Sequence, residues 1–200
     1  MPNTAKKPWT IEPGDALLVV DVQLDFLPGG SLAVPDGDAV IPVLNRYIDL
    51  FEAAGLPVYA TRDWHPEGHC SFAAQGGPWP PHCVQGTEGA RIAGGLHLPK
   101  NVPIISKGGD PDQDAYSGFQ GTGLGDRLRR EGVRRLFVGG LATDYCVLNT
   151  VKDALGEGFS VCLLTDAIRA VDAHTGDGRQ AEATMTRAGA VPVTLEGRAP

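Results

Sequence analysis

The chain has 200 residues, with 24 acidic against 17 basic side chains, a net charge of -7 and 42% apolar residues. That length suits one domain, taken as residues 1–200, whose core needs no disulfide staples. The acidic balance leaves no basic stripe to neutralise phosphates, so no nucleic-acid partner is expected, and no apolar run is long enough to imply a membrane span.

The opening MPNTAKKPWT lacks the apolar stretch of a secretory leader. ALLVVDV, residues 16–22, has strand length and is interrupted only by Asp21. Residues 38–55 place Val40, Leu44, Tyr47, Ile48 and Phe51 at helical spacing, between an acidic start and the closing Gly55. LPVYATR (56–62) predicts the second strand. From Asp63 to Pro99 the chain is rich in Gly, Pro, His and Trp and loses its periodicity, and a long stretch of that kind inside a compact domain is expected to be functional. VPIISK (102–107), RRLFVGG (134–140), FSVCLLTD (159–166) and AVPVTL (190–195) predict further strands, with helices over 123–131, 143–157 and 178–188. Nearly continuous Val/Ile/Leu strands alternating with helices imply a parallel sheet covered on both faces. The expected class is α/β, a three-layer α/β/α fold with a mostly parallel central sheet.

Three polar residues fall at the carboxyl ends of predicted strands, where ligands bind in open α/β sheets. Asp21 closes the first strand, Lys107 the third, and Cys146 follows the fourth by one turn. A thiolate is a nucleophile, and a nearby cation or a helix N-terminus lowers its pKa. Cys146 is expected in the first helical turn, where unpaired N–H groups favour negative charge and can hold an oxyanion. Position alone leaves Cys146 open between core and nucleophile, and Lys107 between a solvated lysine and a site group. Asp21 beside LLVV must find a partner or shift its pKa. Cys162, within FSVCLLTD, reads as core. The four cysteines, at 70, 83, 146 and 162, show no CxxC pair, so reduced thiols and a cytoplasmic location are expected.

A second cluster lies in TRDWHPEGHCSFAAQGGPWPPHC. Asp63 and His65 are two apart at a strand end, so extended geometry aims both at one face. With His82, and His69 as an extra partner, they form either a divalent-metal set or a polar loop with hydrogen-bonded histidines. Trp64, Trp79 and Phe26 either line an aromatic pocket or pin their loops. His97 and His174 read as surface residues.

LLVVDVQLDFLPGGSLAV, TRDWHPEGHCSF, GGPWPPHCVQGTEGA, SKG, DAYSGFQGTGL and VGGLATDYCVLNTVKDAL run in one order from Leu17 to Leu155. In these stretches the chain resembles the nicotinamidase/pyrazinamidase branch of the isochorismatase-like cysteine hydrolases. The resemblance implies Cys146 as nucleophile, Asp21 as acid/base and Lys107 as its partner. It also implies Asp63, His65 and His82, with His69 held open, as ligands of one divalent transition metal, zinc first and iron or manganese as alternatives. A cis peptide before Ala142 is implied, with the Ala142 and Cys146 N–H groups holding the substrate oxygen. The expected substrate is nicotinamide, its ring between Phe26 and Trp79, with pyrazinamide as a side substrate and NAD salvage as the setting. Leu24, where many members carry Asn, and the SKGGDP wording after Lys107 depart from the pattern outside the reactive set.

Three rivals stay in view: an isochorismatase, expected to lack this cysteine and metal set; an N-carbamoyl amide hydrolase, expected not to need the metal; and a non-enzymatic metal or thiol sensor, which has no need of Asp21 with Lys107. Enzymes of this size are often symmetric homo-oligomers, and a homo-oligomer is the assembly allowed for here.

Overall fold

The computed structural model describes residues 9–199; most of the chain start read above for a leader lies outside them. Six strands, β1 (Asp15–Val20), β2 (Val58–Asp63), β3 (Ile104–Lys107), β4 (Arg135–Leu141), β5 (Ser160–Arg169) and β6 (Val191–Val193), form one sheet in the order β3-β2-β1-β4-β5-β6. Every neighbouring pair is parallel, so the sheet expected to be mostly parallel is wholly so among the described residues. Four helices complete the layers: α1 (Val40–Ala53), α2 (Leu124–Arg130), α3 (Leu148–Gly156) and α4 (Asp177–Ala188).

Strand β1 shows why the sequence lacks polar alternation. Leu17 and Val19 pack on one face with Leu44, Tyr47, Ile48 and Phe51 of α1. Ala16, Leu18 and Val20 pack on the other with Leu128 of α2, Val151 of α3 and Met185 of α4. A central parallel strand has no solvent face, so every position from Ala16 to Val20 is apolar. Full burial of each large side chain contributes about 1.5–3 kcal/mol.

Element boundaries differ from expectation where tertiary contacts decide. Strand β1 stops at Val20 because Asp21 has φ +48 in the left-handed region, turning the chain out of the sheet. Strand β5 runs on to Arg169, past a register shift opposite Val138 and Gly140. The helix expected over 143–157 is divided: Thr143–Val147 is a π turn, in which Ala142 O accepts the Val147 N–H, and α3 follows. Gly140 tolerates no side chain, since a Cβ there would stand 2.1 Å from Val20 O.

The stretch after Asp63 holds only a single 3-10 turn and isolated bridges. Its backbone is nevertheless paired: His65 N–H donates to Cys83 O at 3.0 Å, and Cys83 N–H donates to Asp25 Oδ2 at 2.7 Å.

Candidate active site

The sheet order brings Asp21, Lys107 and Cys146 to one edge. Lys107 ends β3 and Asp63 ends β2 beside it, while Asp21 follows β1. The lysine therefore crosses the end of β2 to reach Asp21, its Nζ 2.9 Å from Oδ2. It also pairs with Asp63 Oδ1, and Ala115 O and Cys146 Sγ lie 3.2 and 3.4 Å away. All four of these side chains are buried. Cys146 sits in the π turn rather than in the α-helix proper; π turns of this kind occur often at functional sites.

Asp21 is asymmetric. Oδ1 accepts the Thr61 hydroxyl at 2.5 Å. Oδ2 is buried and faces the Lys107 ammonium. The Cys146 sulfur lies within 4.8 Å of the carboxylates of Asp21 and Asp63. Burial pushes the Cys146 thiol well above its ordinary value, and the opposing pull of Lys107 is outweighed. Burial also raises Asp21 against Lys107. Lys107 loses less to burial than it gains from Asp21 and Asp63, so it stays charged. The lowered thiol pKa expected beside a cation is thus reversed, because desolvation of a buried anion exceeds one cation's attraction. That direction leaves the sulfur protonated at rest, beside the carboxylate that Lys107 also approaches.

Asp63, His65 and His82 offer ligand atoms that all lie within 4.8 Å of one another. A carbonyl can only accept, so His65 Nδ1–H donates to Gly108 O at 2.9 Å and His82 Nδ1–H to Pro80 O at 2.8 Å. Both Nε2 lone pairs are left for an ion, the usual second-layer arrangement around metal-binding histidines. Asp63 Oδ2 lies 3.7 Å from His65 Nε2. Burial opposes its charge, yet the Lys107 ammonium holds Asp63 well below the ordinary carboxylate range. These donors fit a divalent transition metal. Gly108 is required here, since with φ +65 a Cβ would stand 2.4 Å from His65 Cε1. His69 stands apart from the set: its Nδ1 accepts from Ser71 Oγ at 2.8 Å and its Nε2–H donates to Gln113 O at 3.1 Å. Its ring lies against His65, centroids 4.1 Å apart, but both nitrogens are already engaged.

A narrow cleft opens over Cys146, with Phe26, Trp79 and Ala142 in its lining. The Leu141–Ala142 peptide is cis. Trp64 is elsewhere, beneath the Arg62 guanidinium at 3.8 Å. Tyr116 and Tyr145 also line the cleft, and Trp79 Nε1–H donates to Tyr116 Oη at 3.0 Å. Neither tyrosine stands out in the sequence, although each lies inside a quoted motif. Thr61 and Gln23 likewise lie inside quoted motifs without standing out there. His97 and His174 are exposed, Cys162 is core, and all four cysteines are free. No described helix is long and apolar enough to cross a membrane.

Known proteins carry the same framework. The nicotinamidase of Escherichia coli is 43% identical over 204 residues, covering 92% of this chain and 96% of the relative. A pyrazinamidase of Pyrococcus horikoshii, solved in complex with zinc, is 49% identical, covers 92% of this chain and 100% of its own, and superposes with a TM-score of 0.88. An L. infantum protein solved in complex with nicotinate is 40% identical, covers 96% of this chain and 98% of its own, and also gives a TM-score of 0.88. The model of the isochorismatase domain matches residues 15–197, from the first residue of β1 to beyond β6, and with that span and these relatives the chain belongs to the isochorismatase-domain family.

Proposed function

We propose that the chain is a nicotinamidase, hydrolysing nicotinamide to nicotinate and ammonia through a Cys146 thioester, with pyrazinamide as a second substrate. The observation that carries it is the buried cluster in which Lys107 Nζ lies 2.9 Å from Asp21 Oδ2 and 3.4 Å from Cys146 Sγ. A resting thiol needs a base, and a neighbouring carboxylate whose pKa is raised by burial suits that task. The activities named for the E. coli and P. horikoshii relatives support the substrate class.

Asp21 Oδ2 accepts the thiol proton as Sγ attacks the carboxamide carbon. The Ala142 and Cys146 N–H groups hold the oxygen of the tetrahedral intermediate, at no reorganisation cost. Lys107 keeps Asp21 in place and balances its charge. The C–N bond breaks as Asp21 returns the proton to departing ammonia. Water then attacks the thioester and gives a proton to Asp21; the C–S bond breaks, nicotinate leaves, and the sulfur recovers its proton. Phe26 and Trp79 flank the ring and exclude solvent.

Asp63, His65 and His82 are the residues that would hold one divalent ion, with zinc preferred on the evidence of the zinc-complexed relative. When bound, such an ion supplies a coordination position for the pyridine nitrogen, which favours nicotinamide over amides without one. The ligand types alone accept iron or manganese as well.

The test is ammonia release from nicotinamide by purified protein and by Cys146→Ala. Wild type is expected to release ammonia and the variant none, with equal zinc content. Near-native turnover in the variant would refute the nucleophile assignment. Inactivity of zinc-replete wild type, with release from an N-carbamoyl amide, would move the substrate class instead.

A further inference from the structure

Parallel pairing of β1 with β2 ends at Val19 opposite Ala60, because Asp21 turns the main chain away. Asp63, three residues further along β2, therefore has no strand beside it on that edge. Its other neighbour is β3, through Lys107. The missing strand is replaced by one side chain. Gln23, fully buried, accepts the Asp63 N–H on Oε1 at 2.7 Å and donates Nε2–H to Asp63 O at 2.8 Å. The second Nε2 hydrogen goes to Ala90 O at 3.0 Å, tying in the long segment that carries His65 and His82. Both backbone groups of Asp63 are thus gripped from the side opposite Lys107. The carboxylate is aimed from there, Oδ1 to the lysine and Oδ2 toward His65.

We propose that Gln23 is a positioning residue for the metal set: its amide replaces a strand edge and fixes the Asp63 backbone, so that the carboxylate meets the histidine lone pairs. The inference rests on the metal reading of Asp63, His65 and His82. Gln23 touches neither the cleft nor an ion and acts only through Asp63. Outer-layer partners of this kind are worth about 10–100-fold in metal affinity.

The test measures zinc affinity by competition with a chromophoric chelator, alongside melting of the zinc-free protein. Gln23→Met keeps the length of the side chain and loses all three hydrogen bonds. Asn45→Ala is the control, because Asn45 grips the same long segment at Gly95 O and the His97 N–H, far from the metal set. Gln23→Met is expected to lose about 10–100-fold in zinc affinity, and Asn45→Ala to melt lower with unchanged affinity. Gln23→Asn keeps a neutral amide on a stem one methylene shorter, and is expected to fall between Gln23→Met and wild type. It carries the test if Gln23→Met does not fold. Wild-type zinc affinity in a folded Gln23 variant would overturn the proposal while leaving the metal site standing. A wild type that holds no zinc would overturn both.

Discussion

Thr61→Val isolates one hydrogen bond in the reactive cluster. Thr61 is fully buried on β2, and its hydroxyl is the donor to Asp21 Oδ1 at 2.5 Å. Valine keeps the Cγ2 methyl, which already packs so closely that a Cβ on Gly118 would lie 2.8 Å from it. The change therefore removes a donor without opening a cavity. A hydrogen bond to a charged partner contributes about 1.5–3 kcal/mol, and the stranded oxygen is buried without access to water. A loss of about 2 kcal/mol is expected, which in a domain of this size lowers Tm by about 4–8 °C. Asp21 also becomes free to rotate its Oδ2 away from Cys146. Misplacement of a reacting group by about 1 Å costs on the order of 100-fold, so kcat for ammonia release should fall 10- to 100-fold. KM should hold, because Thr61 does not line the cleft. Thr61→Ser is the partner experiment: it restores the hydroxyl and should recover most of kcat while sacrificing the methyl packing. Wild-type Tm and kcat in Thr61→Val would refute the reasoning. A serine variant as slow as the valine one would show that the methyl group, not the hydroxyl, matters.

Other expectations test separate parts of the structure. Gly108→Ala forces a Cβ against the His65 ring at a left-handed backbone position, and should lower zinc affinity at least tenfold by chelator competition, with a lower Tm. Tyr116→Phe removes the acceptor for Trp79 Nε1–H, leaving one wall of the cleft unpinned; steady-state kinetics should show KM rising several-fold with a smaller change in kcat. Tyr59→Phe removes the hydroxyl that donates to Glu131 Oε2. That bond, with help from Arg127, holds the Glu131 carboxyl below its ordinary range, so its contribution is present above the unfolded pKa and is lost as pH falls through the folded one. Because Glu131 is largely exposed, denaturant melts should show a loss of about 0.5–1 kcal/mol at pH 7 that disappears in acid.

Much of the architecture was legible without coordinates. The unbroken ALLVV run encodes a strand buried on both faces, and the spacing of Val40, Leu44, Ile48 and Phe51 encodes the buried stripe of α1. Both are properties of single elements, because hydrophobic periodicity records which side of an element meets the core. The placement of Asp21, Lys107 and Cys146 at strand ends was legible for the same reason, once the strands were expected to be parallel.

What lay outside the sequence depends on register, rotamer and relative burial. Gln23 and Asp63 are forty positions apart, and only the turn at Asp21 leaves a vacancy in the sheet that a glutamine amide can fill. Sequence leaves His69 open as an extra partner of His65 and His82; Ser71 and Gln113 engage both of its nitrogens, while Gly108 and Pro80 leave one free on each of the others. The sign of the Cys146 shift was misjudged because a cation in sequence order suggests a thiolate, whereas complete burial costs the anion more than Lys107 returns. Sequence determined which chemical groups reach the carboxyl edge of the sheet. Tertiary structure alone decided which atom of each faces its partner and which form carries the proton, because hydrogen-bond direction and desolvation exist only once distant segments are packed together.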